Sequence, residues 1–222
     1  MSISAIAVKN LKKSFGTGET KVEVLKQIGL EISPGETVAL LGRSGSGKST
    51  LLSLLAGLDR PDGGEIIIEG KNIATMSEKE LTKFRASKIG IVFQQFHLVS
   101  TLTALENVLL PLEILKVPGA ESRARELLLE VGLSHRLDHL PAQLSGGESQ
   151  RVAIARALAI NPHILFADEP SGNLDEDTGA MVMDLLFNMV EKARTTLILI
   201  THDQELAGRC RRVVHLEHGR LV

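Results

Sequence analysis

Short apolar runs alternate with segments of helical periodicity through most of the chain. The runs at 38–41, 66–68, 89–93, 164–167, 197–201 and 213–216 are strand-sized and nearly free of polar residues. Apolar positions spaced three and four apart predict helices at 49–56, 104–115, 122–131, 147–159 and 178–193. The alternation predicts an α/β fold with a largely parallel sheet. The first part of the chain has another texture. Residues 3–8, 22–32 and 66–69 alternate or are β-branched, with turn signals at Thr17-Gly18, Pro34-Gly35 and Asp62-Gly63-Gly64 between them. They predict an antiparallel sheet beside the parallel core. From about 97 to 145 there are only helix patterns and loops, bounded by Pro118-Gly119 and Pro141, which predicts a helical insertion between core strands.

Between the apolar run at 38–41 and the leucine-rich helix that follows lies GRSGSGKST: Gly42, Arg43, Ser44, Gly45, Ser46, Gly47, Lys48, Ser49 and Thr50. This is the phosphate-loop pattern in its required strand–loop–helix setting. Its glycines let successive backbone N–H groups face a phosphate, Lys48 reaches the β- and γ-phosphates, and the Ser49 hydroxyl ligates Mg²⁺. In this the core resembles that of a P-loop NTPase of the RecA-like type, and such a core is expected.

Other strand ends supply the remaining chemistry. ILFADE at 164–169 ends in two acids. Asp168 suits the role of holding Mg²⁺ through water, and Glu169, one residue further, suits a general base for an attacking water. Gln94 follows the run at 89–93, where it could contact Mg²⁺ or the lytic water. His202 follows the run at 197–201, where it could hydrogen-bond the γ-phosphate.

A second glycine-rich turn opens a helix at 144–150, LSGGESQ, and runs into RVAIARALAI. Free N–H groups and the helix dipole make such a turn an anion site. The first phosphate loop already saturates its own ligand, so a second anion site needs a second anion. A two-fold dimer supplies it, each chain's Ser145 and Gly147 closing over the other chain's γ-phosphate.

Taken in order, these motifs resemble the ATP-binding-cassette family of ATPases over essentially the whole chain. GRSGSGKST resembles the family's Walker A, ILFADE its Walker B, Gln94 its Q-loop, LSGGE its signature, SGNLD at 171–175 its D-loop and His202 its switch histidine. The resemblance implies ATP and Mg²⁺ as ligands, adenine stacked on Phe15, and an ATP-sandwich homodimer. In that dimer Ser145, Gly146, Gly147, Glu148 and Asp175 address the partner's ATP. It also implies one cassette domain over 1–222: a core with a β-subdomain from 1–95 and 160–222, and an inserted helical signature subdomain at about 96–159. The stretches 96–112 and 139–158 resemble the ATPases that serve bacterial permeases for lipoprotein release, macrolide export and cell division. This implies a separate integral-membrane permease as partner; the alternative is a soluble cassette driving a protein or nucleic-acid machine. The chain departs from the family pattern at Phe15, where Tyr is common, and at Ser149, Ser171 and Ser100, where Gln, Thr and Pro are usual. None removes a catalytic group.

Composition narrows the picture further. No stretch approaches the ~20 apolar residues that span a bilayer, and at the N-terminus the apolar residues precede the lysines, the reverse of a secretory signal. A cytoplasmic chain, peripheral on the inner membrane through its permease, is expected. The single Cys210 excludes an internal disulfide and reads as an inert thiol. Net charge is −2, and without Trp, Tyr or a basic stripe no nucleic acid is expected as a partner. His135 and His139 flank Asp138 at metal-like spacing, but in a polar, turn-rich segment with no third ligand they read as solvated surface.

Overall fold

The computed structural model describes residues 4–222, so the first residue of the run at 3–8 lies outside the described residues. The chain divides into two compact units. One comprises the described residues up to Arg85 together with Thr196–Val222, the other Ala86–Thr195. In chain order the elements are β1 (Ile6–Phe15), β2 (Val22–Ile32), β3 (Thr37–Leu41), α1 (Lys48–Leu55), β4 (Gly63–Ile68), β5 (Lys71–Asn72) and α2 (Glu78–Lys88). There follow β6 (Ile89–Phe93), α3 (Ala104–Ile114), α4 (Ala120–Glu130), α5 (Gly146–Leu158), β7 (Ile164–Asp168) and α6 (Glu176–Ala193). The chain ends with β8 (Thr196–Ile200), α7 (Gln204–Gly208), β9 (Arg212–Glu217) and β10 (Arg220–Leu221).

In the first unit, β2, β1, β4 and β5 form an antiparallel sheet in that order. Its inward positions are Ile6, Val8, Leu11, Leu25, Ile28, Ile32, Ile66 and Ile68, all buried. The glycines expected in a turn at 62–64 instead begin β4. Gly64 has φ +91°, and a Cβ there would lie 2.5 Å from the Asn10 carbonyl oxygen. Asn10 itself has φ +50° and sits where the β1–β4 register shifts between Lys9 and Lys12. The glycine thus admits a bulge rather than ending a strand. Strand β3 lies between β8 and β9, parallel to both. TVALL and TLILI are almost wholly buried, as strands covered on both faces must be. The His218-Gly219 turn, with both residues at positive φ, folds β10 back on β9. The Lys26 amide donates to Gly219 O at 2.7 Å, which ties this hairpin to β2. Cys210 is buried, and burial pushes its thiol up to about 11, in keeping with an inert thiol.

In the second unit, β6 and β7 pair in parallel from Ile89 opposite Ile164 to Phe93 opposite Asp168. Helices α3, α4 and α5 pack on one another, and α6 buries Val182, Met183, Leu186 and Val190 along one face. Between β6 and β7 in sequence there are helices and loops only, the helical insertion that the pattern predicts. Helix α2 has no counterpart in the sequence pattern. Only Leu81 and Phe84 of EKELTKFRASK are buried, too few to create a periodic signal.

Helix α5 lies so close to β6 that a Cβ on Gly90 would strike the Ala157 carbonyl oxygen, which as backbone cannot yield. Gly90→Ala should therefore cost about 1–3 kcal/mol. Urea denaturation against the parent chain measures the loss.

Candidate functional site

Each unit carries part of the predicted residue set. In the first, β3 feeds the loop 42–47 and α1 begins at Lys48. Gly47, at φ +104° and ψ 10°, is the N-cap of α1, with a would-be Cβ 3.0 Å from Leu25 Cδ2 and 3.1 Å from Val24 Cγ1. A Cβ on Gly42 would lie 2.5 Å from Leu216 O and 2.6 Å from Ser46 Oγ. Gly47 is thus demanded by its left-handed backbone and its neighbours, and Gly42 by close neighbours alone. Lys48 is only 8% exposed and donates from Nζ to the carbonyls of Gly42 (2.8 Å) and Arg43 (3.1 Å), folded back across the loop. Ser46 Oγ is buried and has no hydrogen-bond partner in the loop as it stands. A glycine cradle, a sheltered ammonium and an orphan hydroxyl fit a phosphate chain, and Ser49, exposed at the second position of α1, fits a Mg²⁺ ligand.

A groove of ≈ 460 Å³ runs along the first half of the loop, lined by Val22, Val24, Arg43–Ser46 and the β9–β10 turn. Neither Phe15 nor Lys48 lines it. Phe15 is the register partner of Val22 on its rim and is 47% exposed. Lys13 Nζ stands 5.1 Å from the centre of the Phe15 ring and is itself tied to Asp59 at 2.7 Å. His202, in the same unit, is exposed two residues after β8.

In the second unit the register of β6 on β7 sets Phe93 opposite Asp168, so Gln94 and Glu169 leave their strands at the same level. Glu169 has φ +44°, a strained conformation for a residue with a side chain, and its carbonyl accepts the Gly172 amide at 3.0 Å. Gln94 Nε2 donates to Asn173 Oδ1 at 3.1 Å, and Asn173 Nδ2 donates back to the Gln94 carbonyl at 3.0 Å. A Cβ on Gly172 would lie 2.8 Å from Gln94 Nε2. The structure therefore brings Gln94, Glu169 and the 171–175 turn together. Asp175, exposed at the end of that turn, caps α6. The bond that its side chain accepts from the Thr178 amide holds its pKa below the ordinary value.

The 144–148 turn is built as a helix start. Ser145 Oγ accepts the Glu148 amide at 3.2 Å, and Glu148 Oε2 accepts the Ser145 amide at 2.8 Å, a reciprocal capping box. The amides of Gly146 and Gly147 lie ahead of the first intrahelical bonds of α5. Ser145 and Gly146 are exposed, whereas Gly147 is buried against Thr178, whose methyl leaves no room for a Cβ. The Ser145 amide, followed by the Arg136 guanidinium at 2.9 Å, holds the Glu148 carboxyl below its ordinary range.

Four residues absent from the predicted set complete this part of the structure: Gln150, Arg156, Asn107 and Asn173. Gln150 is fully buried and donates to the Pro170 carbonyl at 2.6 Å. Arg156 donates to the carbonyls of His97 (2.6 Å) and Phe96 (2.8 Å), and burial lowers its pKa. Buried Asn107 accepts the Val99 amide and donates to the Val99, Leu102 and Thr103 carbonyls. The one signal in the sequence was an arginine inside the apolar stretch RVAIARALAI. A cation on a buried helix has to find oxygen partners.

A phosphate cradle after β3 and a carboxylate pair at the end of β7 define a P-loop nucleotide-binding protein. The comparisons with known proteins narrow the class. The family model described as "ABC transporter" matches residues 25–172. The chain is 52% identical to the "Uncharacterized ABC transporter ATP-binding protein YbbA" of Escherichia coli (strain K12), over 97% of this chain and 96% of that protein. It is 49% identical to the "Lipoprotein-releasing system ATP-binding protein LolD" of Geobacter metallireducens, over 99% and 98%. Among solved structures, a dimeric post-hydrolysis state of the ATP-binding cassette MJ0796 with ADP and Pi superposes with a TM-score of 0.89 at 44% identity. The match covers 97% of this chain and 96% of that one. The chain belongs to the ABC transporter family. It is an ATPase with the α/β cassette fold, including the antiparallel sheet and the helical insertion, and it works on ATP with Mg²⁺.

Ser145→Ala should destabilise the chain by about 1 kcal/mol at pH 7, the usual worth of an N-cap. Glu148 adds an acid-side dependence. Its folded pKa is depressed, so its stabilisation is complete above its unfolded value near 4.5 and is lost as pH falls through the folded value. Denaturation curves from pH 7 to pH 3 should show a shallower acid loss for Glu148→Gln than for the parent.

Proposed function

We propose that this chain is the energising subunit of a membrane transporter or mechanotransmission complex and works as an ATP-sandwich homodimer. The observation that carries the reading is the presence of two glycine turns that each open a helix. One is the cradle at 42–47, with Lys48 folded over it; the other is at 145–147, with Ser145 and Gly146 exposed. One nucleotide per chain needs only the first. The second belongs to the nucleotide of a second copy, which a two-fold axis supplies twice. The dimeric state of the MJ0796 cassette supports this arrangement.

In this reading the loop 42–50 holds the phosphates through its amides and Lys48, and Phe15 takes the adenine on its exposed face. Ser49 and Gln94 hold Mg²⁺ directly and Asp168 holds it through water. When bound, the ion neutralises charge on the β- and γ-phosphate oxygens. Glu169 accepts the proton of the attacking water, which Gln94 and His202 orient. Ser145, Gly146, Gly147 and Glu148 close on the partner's γ-phosphate, and Asp175 connects the two sites across the interface. ADP cannot make the closing contacts, so hydrolysis releases the dimer. The working unit is one cassette over 1–222, with a core from 1–95 and 160–222 and a helical subdomain over about 96–159.

No helix among the described residues is long and apolar enough to cross a membrane, so the motion is passed to a separate permease through the segment after Gln94. The relatives' names, with a lipoprotein-releasing system among them, favour lipoprotein or lipophilic export and related envelope work over a soluble machine. The chain would then lie on the cytoplasmic face of the inner membrane.

Glu169→Gln should slow ATP hydrolysis by ~10²–10⁴-fold while leaving ATP affinity intact. With ATP it should elute from a sizing column as a dimer; a monomer at saturating ATP would sink the sandwich. Lys48→Ala should weaken nucleotide binding itself by tenfold or more, about the worth of a charge-assisted contact. Isothermal titration with ATP reads that loss directly.

A further inference from the structure

The segment 94–103 joins β6 to α3 with no helix or strand of its own, so its backbone polar groups need partners from elsewhere. At its centre Phe96 and His97 both adopt left-handed backbone, φ +59° and +47°. Neither is glycine, and two consecutive residues of this kind persist only where the surroundings hold them. The Arg156 fork meets both, Nη2 on Phe96 O at 2.8 Å and Nη1 on His97 O at 2.6 Å. The His97 ring also stands edge-on to Phe93 at 4.7 Å. Arg156 lies two to three turns into α5, the helix that opens with Ser145-Gly146-Gly147. One turn from that opening, Gln150 donates to Pro170 O, next to Glu169, and reaches Phe93 O at 3.4 Å. Its Oε1 is buried without a partner, so nothing but these donor contacts accounts for an amide at that position.

We propose that Arg156 is a positioning residue for hydrolysis: its guanidinium fork clamps the carbonyls of Phe96 and His97 and so sets the loop that carries Gln94. Because the same rigid helix bears the anion turn at its start, engagement of that turn by a partner's nucleotide is passed to Gln94 through Arg156 and to the Glu169 side through Gln150. The role rests on the proposed function of Gln94. A guanidinium is needed because two parallel N–H bonds to successive carbonyls require a planar fork, which an ammonium lacks.

The test uses the full chain with Arg156→Lys and Arg156→Met, hydrogen exchange and steady-state kinetics. Amides 95–99 should exchange about tenfold faster in both variants, while the amides of α5 keep their protection. The kcat should fall about tenfold, with the KM for ATP within about twofold of the parent, the signature of a contact that matters in the transition state. In a Gln94→Ala background Arg156→Lys should add little. Unchanged exchange at 95–99, a normal kcat, or effects of Gln94→Ala and Arg156→Lys that simply multiply would each overturn the clamp. Loss of fold in both variants would assign Arg156 to the core instead. If Gln94→Ala itself hydrolyses ATP at the parental rate, the role given to Gln94 fails and this one with it. A slow Gln94→Ala beside a normal Arg156→Lys overturns the clamp alone.

Discussion

Where a parallel strand ends, its last carbonyls and amides lose their ladder partners, and the rest of this structure depends on how they are satisfied. After β3 the carbonyls of Gly42 and Arg43 are taken by the Lys48 ammonium. After β6 and β7 the carbonyls of Gln94, Phe96, His97 and Pro170 are taken by Asn173, Arg156 and Gln150. Net hydrogen-bond energies are modest, about 1 kcal/mol each, but an unmet buried partner costs more. The side chains at these ends are therefore held firmly, and the groups proposed for chemistry stand among them.

This way of building a site has a consequence for motion. Backbone held by side chains from a neighbouring helix moves when that helix moves, whereas backbone held in a sheet does not. Gln94 and Glu169 begin at paired positions on a rigid strand pair, but the loops that follow them are fastened to α5. The cradle at 42–47 is held differently, by glycines pressed against Leu25, Val24 and Leu216. The cradle is thus fixed within its own unit, while the proposed hydrolysis residues are tied to a helix.

Much of the fold was legible in the sequence. The run at 89–93 is β6 to the residue, and the predicted helices at 104–115, 147–159 and 178–193 lie within two residues of α3, α5 and α6. Strongly apolar, periodic segments announce themselves because burial imposes their spacing. Helix α2 did not, since two buried residues in eleven carry no period. The glycines at 63–64 misled for the opposite reason. Their freedom serves a bulge against Asn10, and a bulge leaves the same composition as a turn.

For the candidate site, the sequence by itself determined the residue types and their order: a cradle before a helix, a carboxylate pair after a buried strand, and a second glycine turn that opens another helix. These are local patterns, dictated by the backbone conformation and chemistry of a few consecutive residues. Only the tertiary structure decided that Glu169 sits in left-handed backbone, that Gly147 is packed on Thr178, and that Arg156, Gln150 and Asn173 hold the strand-end loops. The last three bind carbonyl oxygens that lie 20 to 79 residues away along the chain. A carbonyl is the same in every residue, so a bond to one constrains only the donor and leaves no mark at its own position in the sequence.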